Sequence, residues 1–150
     1  MIHPHTYIHP NAKLATNVKI DPFTVIHQNV EIGEGTWIGS NVTIMEGAQI
    51  GKNCRIFPGA VIAAIPQDLK FEGEDTMVEI GDNTTIREFV TINRGTKDRW
   101  KTKVGRNCLI MAYSHLAHDV IIGNNCIMSN NTQIAGHVEM GDWAVLGGMC

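Results

Sequence analysis

The stretch SHLAHDV, residues 114–120, places His115, His118 and Asp119 within five positions. A second stretch, IAGHV at 134–138, adds Gly136 and His137. A neutral imidazole accepts a proton near pH 7, and a carboxylate beside it settles which ring nitrogen carries the hydrogen. A glycine N–H close to that base can meet the negative charge that develops on a carbonyl oxygen under attack. The combination suits attack by a hydroxyl on an acyl group. Whether the two stretches meet depends on the elements that carry them.

Those elements repeat every six residues. Counting in sixes from Ile2 to Leu146, 22 of 25 positions are Ile, Leu, Val or Met, and the exceptions are Asp68, Glu74 and Asp98. Six fits neither a helical period nor simple strand alternation, but it is the signature of a parallel β-helix. Three residues after the aliphatic comes Asn or Gly, as at Asn11, Asn17, Asn29, Gly35, Asn41 and Asn53, residues that tolerate a left-handed corner. Four after it the residue is small or β-branched, as at Ala12, Val18, Thr24 and Val30. Each hexad is then a short strand plus a corner, and three hexads close a triangular coil of 18 residues. Successive coils stack about 4.8 Å apart. On that spacing His118 lies against Gly136 and Asp119 against His137. Asp119 and His137 both stand at the corner position normally given to Asn or Gly.

At 150 residues with a formal charge of -3, the chain reads as one all-β domain over 1–150. No basic run points to nucleic acid. No apolar run approaches the ~20 residues of a membrane span. The start, MIHPHTYIHP, has no signal-peptide pattern, so a soluble cytoplasmic protein is expected. Cys54, Cys108, Cys126 and Cys150 fall at the small inward position and read as buried apolar side chains. His3, His5, His9 and His27 read as surface residues of the first coils.

The repeat breaks twice, at 63–79 and at 97–103, and both segments are expected to leave the coils as loops. The second carries Lys97, Arg99, Lys101 and Lys103 against Asp98, which suggests a solvated charged loop or a contact for phosphates or an acidic carrier protein. The last residues, LGGMC, stop within a hexad without a cap, from which a longer protein with further chain beyond residue 150 is expected.

The hexads resemble the left-handed β-helix of the hexapeptide-repeat acyltransferases, and the handedness is what that resemblance implies. PQDLKF, VEIGDNTTIREFVTINRGT, HLAHD and IAGHV, in this order, are similar to the UDP-N-acetylglucosamine O-acyltransferases of lipid A biosynthesis. That family transfers a 3-hydroxyacyl group from acyl carrier protein to the 3-hydroxyl of UDP-N-acetylglucosamine, without a metal or other cofactor, as a homotrimer with active sites between subunits. The resemblance implies His118 as general base, Asp119 as its orienting partner and Gly136 as oxyanion donor. It implies substrate contacts at His115, His137 and Asn93. It also implies that Gln67, Asp68 and Lys70 bind the sugar nucleotide from across the subunit cleft. Asn93 stands in TINRGT where the family pattern TIHRGT has histidine.

Three other readings stay open on the residues alone. The N-acyltransferase later in the same pathway shares the fold, but it has a domain before the coils, whereas hexads here begin at residue 2. A trimeric zinc hydratase of the γ-carbonic anhydrase type would need H-x4-H, and His115 and His118 are three apart. A non-enzymatic scaffold predicts uninterrupted coil faces.

Overall fold

The computed structural model describes all residues, Met1–Cys150, and contains 21 short strands and no helix. Every strand pairs in parallel with the strand three further along, giving three sheets of seven strands. One sheet runs through Ile8, Ile26, Ile44, Ile62, Ile92, Leu116 and Ile134. The others run from Leu14 to Met140 and from Ile20 to Leu146. The every-sixth aliphatics thus climb the three inner faces as ladders, and most of them are buried. Each fully buried isoleucine contributes about 1.5–3 kcal/mol, and 29 buried apolar residues join in one core.

Corners take the left-handed backbone at Asn17, Asn29, Asn41, Asn53, Asn83, Asn107, Asn125 and Asn131, as expected. Asn11 does not; its side-chain oxygen accepts from the Asn29 N–H at 2.9 Å instead. Phe23, Phe89, Tyr113 and Trp143 adopt the same corner conformation, at a cost of about 1–2 kcal/mol each for a residue with a Cβ.

The small inward position is less apolar than expected. Thr36 Oγ1 donates to the Gly51 carbonyl and Thr84 Oγ1 to that of Gly105, at 2.8 and 2.7 Å. Each hydroxyl also accepts from the N–H one coil on, of Cys54 and Cys108 respectively. Cys54, Cys108 and Cys126 sit in the same ladder, with Sγ directed at the carbonyls of Gly81, Gly123 and Gly141 at 3.1–3.2 Å. These cysteines are buried as expected, but they also satisfy corner carbonyls that the short strands leave over. Cys150 is exposed, because no residue of the chain stacks over it.

Both breaks are loops, with boundaries different from those expected. The first spans 65–76, between the strands Val61–Ala64 and Met77–Ile80. The second spans 94–100, between Thr91–Asn93 and Lys101–Val104. Residues 101–103 belong to a strand because they pair in register with Met77–Ile80, with Thr102 buried and Lys103 facing out. Lys101 Nζ lies 3.4 Å from Glu79. The pairing offset is 18 residues at Ile8–Ile26, 30 at Ile62–Ile92 and 24 at Ile92–Leu116. Every offset is a multiple of six, so the count in sixes stays in phase across both loops. Asp68, Glu74 and Asp98 interrupt it because they lie in the loops.

Candidate active site

His118 and Asp119 occupy the corner between the strands His115–Leu116 and Ile121–Ile122. Neighbouring strand residues point to opposite sides, but φ of 60° at Asp119 folds its side chain back beside His118. Asp119 Oδ2 lies 2.9 Å from His118 Nδ1. The carboxylate is fully buried. Its Oδ1 accepts from the N–H groups of Thr96 and Arg99 at 3.0 and 3.2 Å, and Oδ2 accepts from the Thr96 hydroxyl. Burial alone would push the Asp119 carboxyl upward. The hydrogen bonds from Thr96, His118 and Arg99 outweigh it and hold the group below its ordinary value. Asp119 is therefore ionised at neutral pH and can only accept. The neutral tautomer that matches this acceptor carries its hydrogen on Nδ1 and leaves Nε2 to take up a proton.

Gly136 lies against the ring. A Cβ there would stand 2.6 Å from His118 Cε1 and 2.7 Å from Nε2, so only glycine leaves the imidazole in place. The Gly136 N–H makes no backbone hydrogen bond. One residue on, His137 sits at a corner with φ of 67° and packs edge-on to His118 at 4.9 Å between ring centres. Its Nδ1 lies 2.9 Å from Asp98 Oδ2 and 3.9 Å from Asp119 Oδ2.

His115 faces out from the sheet, and its Nδ1 is 2.7 Å from Thr91 Oγ1. Burial lowers its pKa, against the opposing effect of the Thr91 backbone, so the ring is neutral at pH 7. Asn93 is buried in the same wall, and its Oδ1 has no hydrogen-bond partner.

The first loop folds over these residues. Asp68 Oδ2 comes within 3.8 Å of His118 Nε2, and the Lys70 N–H donates to Asp68 Oδ1 at 3.0 Å. Two cavities result. One of about 520 Å³ is lined by Gln67, Asp68, Thr91, Asn93, Tyr113, His115, Ala117, His118 and Gln133. The other, of about 400 Å³, is lined by Asp68, Lys70, Glu74, Thr96, Lys97, Asp98 and His137, with no apolar residue. Asp68 lines both. A groove of about 510 Å³ runs along another sheet past Glu79, Lys103 and Arg106. Volume does not separate the three; the two beside His118 hold the histidines and the unpartnered amide.

The residues singled out in the sequence therefore come together: His118, Asp119 and Gly136 at the corner, with Gln67, Asp68, Lys70, His115, His137 and Asn93 around it. The first loop reaches the His118 of its own chain, through Asp68. The second loop is not simply a solvated charged segment. Thr96 and Arg99 hold Asp119, Asp98 holds His137, and Arg99 pairs with Glu139 at 2.7 Å. Sequence reasoning missed Thr96 because a corner-spacing rule of 18 does not reach across a loop. Donor atoms of His118, Asp119 and His137 lie within 4.8 Å of one another, the spacing of a metal site. The Asp119 oxygens are already saturated, however, and both Nδ1 atoms face carboxylates, so the group reads as two carboxylate–imidazole pairs. None of His3, His5, His9 and His27 is buried or near this site.

The bacterial transferase hexapeptide (six repeats) family matches residues 29–64 and 101–136. Curated relatives named acyl-[acyl-carrier-protein]–UDP-N-acetylglucosamine O-acyltransferase include one from Pseudomonas putida, 55% identical over 98% of this chain and 57% of its own length. Another, from Xylella fastidiosa, is 56% identical over 99% and 57%. Among solved structures, LpxA from Acinetobacter baumannii superposes with a TM-score of 0.97 at 42% identity, covering 98% of this chain and 57% of that one. The UDP-N-acetylglucosamine acyltransferase of Francisella novicida gives 0.97 at 45%, covering 99% and 55%. The chain thus spans little more than half the length of the relatives it matches. Its three-sheet coil is the left-handed parallel β-helix of hexapeptide repeats. Sequence, fold and repeat agree that the chain is similar to the UDP-N-acetylglucosamine O-acyltransferases over that part of their length.

Proposed function

We propose that the protein carrying this chain transfers a 3-hydroxyacyl group from acyl carrier protein to the 3-hydroxyl of UDP-N-acetylglucosamine, the first step of lipid A biosynthesis. The observation that carries the reading is the position of His118. Its Nε2 faces Asp68, the one residue that lines both cavities, so two substrates held there would react beside a base. The relatives' shared name supplies the donor and the acceptor.

In this mechanism His118 Nε2 takes the proton of the sugar hydroxyl as its oxygen attacks the thioester carbonyl. Asp119, ionised and buried, stabilises the imidazolium that forms. The Gly136 N–H meets the tetrahedral oxyanion. Collapse breaks the carbon–sulfur bond, and His118 returns the proton to the departing thiolate. Cys54 and Cys108 take no part, since burial pushes both thiols up and directs them at corner carbonyls. Gln67, Asp68 and Lys70 from the loop, with His115, Asn93 and His137 from the coils, are the groups offered to the sugar nucleotide. The reading carries with it a homotrimer with sites between subunits and a cytoplasmic setting. No helix is long and apolar enough to cross a membrane.

The test is to incubate the full-length protein with UDP-N-acetylglucosamine and 3-hydroxyacyl carrier proteins of several chain lengths and identify the product by mass. An O-acylated nucleotide sugar is expected. Acylation only of an amino sugar would point to N-acyl transfer, and no transfer with any carrier would leave a scaffold role.

A further inference from the structure

Arg94 is nine-tenths buried and is used by nothing described so far. It follows Asn93 at the end of a site strand, and its bonds run to the first loop and to the coil below it. Its N–H donates to the Ala64 carbonyl at 2.9 Å, where the first loop leaves the coil. The N–H of Gly95 donates to the Met77 carbonyl at 3.2 Å, where the loop returns. The guanidinium donates from Nη2 to the Glu74 carbonyl, inside the loop, and from Nη1 to the Glu46 carbonyl, on the coil below, both at 3.3 Å. The Phe71 ring of the loop lies 5.4 Å from the guanidinium carbon. The charge is thus met by carbonyl dipoles and an aromatic face. A buried cation held in this way is costly unless each contact stays in place.

We propose that Arg94 is a positioning residue that clamps the 65–76 loop to the coils and so holds Asp68 against His118. The backbone N–H groups of Arg94 and Gly95 tie down the two ends of the loop, and the guanidinium joins its middle, at Glu74 and Phe71, to Glu46 of the coil below. Three further polar atoms under the loop, Glu74 Oε2, Thr76 Oγ1 and Arg94 Nε, are buried without partners. The loop's own hydrogen bonds, from the N–H groups of Phe71 and Lys70 to Asp68 and from that of Glu72 to Glu74, close within it, which leaves the guanidinium and Phe71 to set its height over His118. The proposal rests on the acyl-transfer reading for its kinetic consequence but not for its structural one.

The experiment takes the full-length protein as wild type, Arg94→Lys and Phe71→Leu, the latter cutting the clamp from the loop side without touching the coil. The first measurement is tryptic cleavage after Lys70, at matched fractions folded. Loss of one charged hydrogen bond should speed that cleavage about tenfold in Arg94→Lys. The second is the KM for UDP-N-acetylglucosamine, alone and combined with Asp68→Asn. KM should rise in both clamp variants, and Asp68→Asn should add less to KM in the Arg94→Lys background than in wild type, because the loop no longer holds residue 68 in place. Unchanged cleavage at Lys70 overturns the proposal. Faster cleavage with unchanged KM, or with additive penalties, overturns it too, since the loop's position would then not matter at His118. If wild type transfers nothing, the acyl-transfer reading fails while the cleavage comparison still decides the clamp.

Discussion

Asp119 Oδ2 lies 2.9 Å from His118 Nδ1 although the residues are adjacent in sequence, because a left-handed corner at Asp119 turns the two side chains together. The same corner buries the carboxylate under Thr96 and Arg99. One backbone conformation thus supplies the orientation of the base and the ionisation of its partner.

Asp119→Asn keeps the shape and removes the charge. The amide has one acceptor where the carboxylate receives four donors, so N–H groups come to face N–H groups. Stability should fall by about 2–3 kcal/mol, the scale of a lost hydrogen bond to a charged group. Turnover should fall about 100-fold or more because Nδ1–H of His118 loses its acceptor. Chemical denaturation and steady-state kinetics check the two separately.

The acid limb of stability follows from the same carboxylate. Its folded pKa is depressed from 3.8, so the stability it contributes is fully present above that value. It is lost as pH falls below 3.8 and through the lower folded value. Urea midpoints of wild type and Asp119→Asn should therefore converge as pH drops through this window. A gap that stays constant between pH 7 and the acid limb would rule out the linkage.

Gly136→Ala places a methyl 2.7 Å from His118 Nε2. The backbone at 136 is not left-handed, so the methyl adds crowding of the imidazole without backbone strain. Turnover should fall about 100-fold while the melting temperature changes little, the pattern of a displaced base and a blocked oxyanion donor. Thermal melts beside kinetics would show it.

Cys108→Thr should be neutral, since Thr84 fills the equivalent position one coil below and its hydroxyl donates to the corner carbonyl of Gly105 as the Cys108 thiol does to that of Gly123. Cys108→Val is close in volume but cannot donate, leaving the Gly123 carbonyl unmet at a cost of about 1 kcal/mol. The difference between the two variants in denaturant midpoint measures the inner hydroxyl and thiol ladder.

The coil was legible in the sequence because one rule, an aliphatic every sixth residue, serves both the inner ladders and the corners. The core of the site was legible for the same reason: Asp119 and His137 break the corner rule, and 18 residues separate His118 from Gly136. Gln67, Asp68, Lys70 and Asn93 were found through resemblance rather than spacing. Thr96 and Arg94 were not found, because contacts across a loop have no fixed offset. The loop ends were misplaced where KTK read as a charged segment, although its alternation of outward Lys and inward Thr is that of a strand. The donor role of the cysteines was missed because a small side chain at an inward position reads as apolar until its carbonyl partner is known.

The central claim is that His118 is the base. The most direct test is kcat of His118→Ala in the full-length protein, with affinity for UDP-N-acetylglucosamine measured in parallel by calorimetry. The account predicts a fall of about 10²–10⁴ in kcat with nucleotide affinity retained. An unchanged kcat would contradict it.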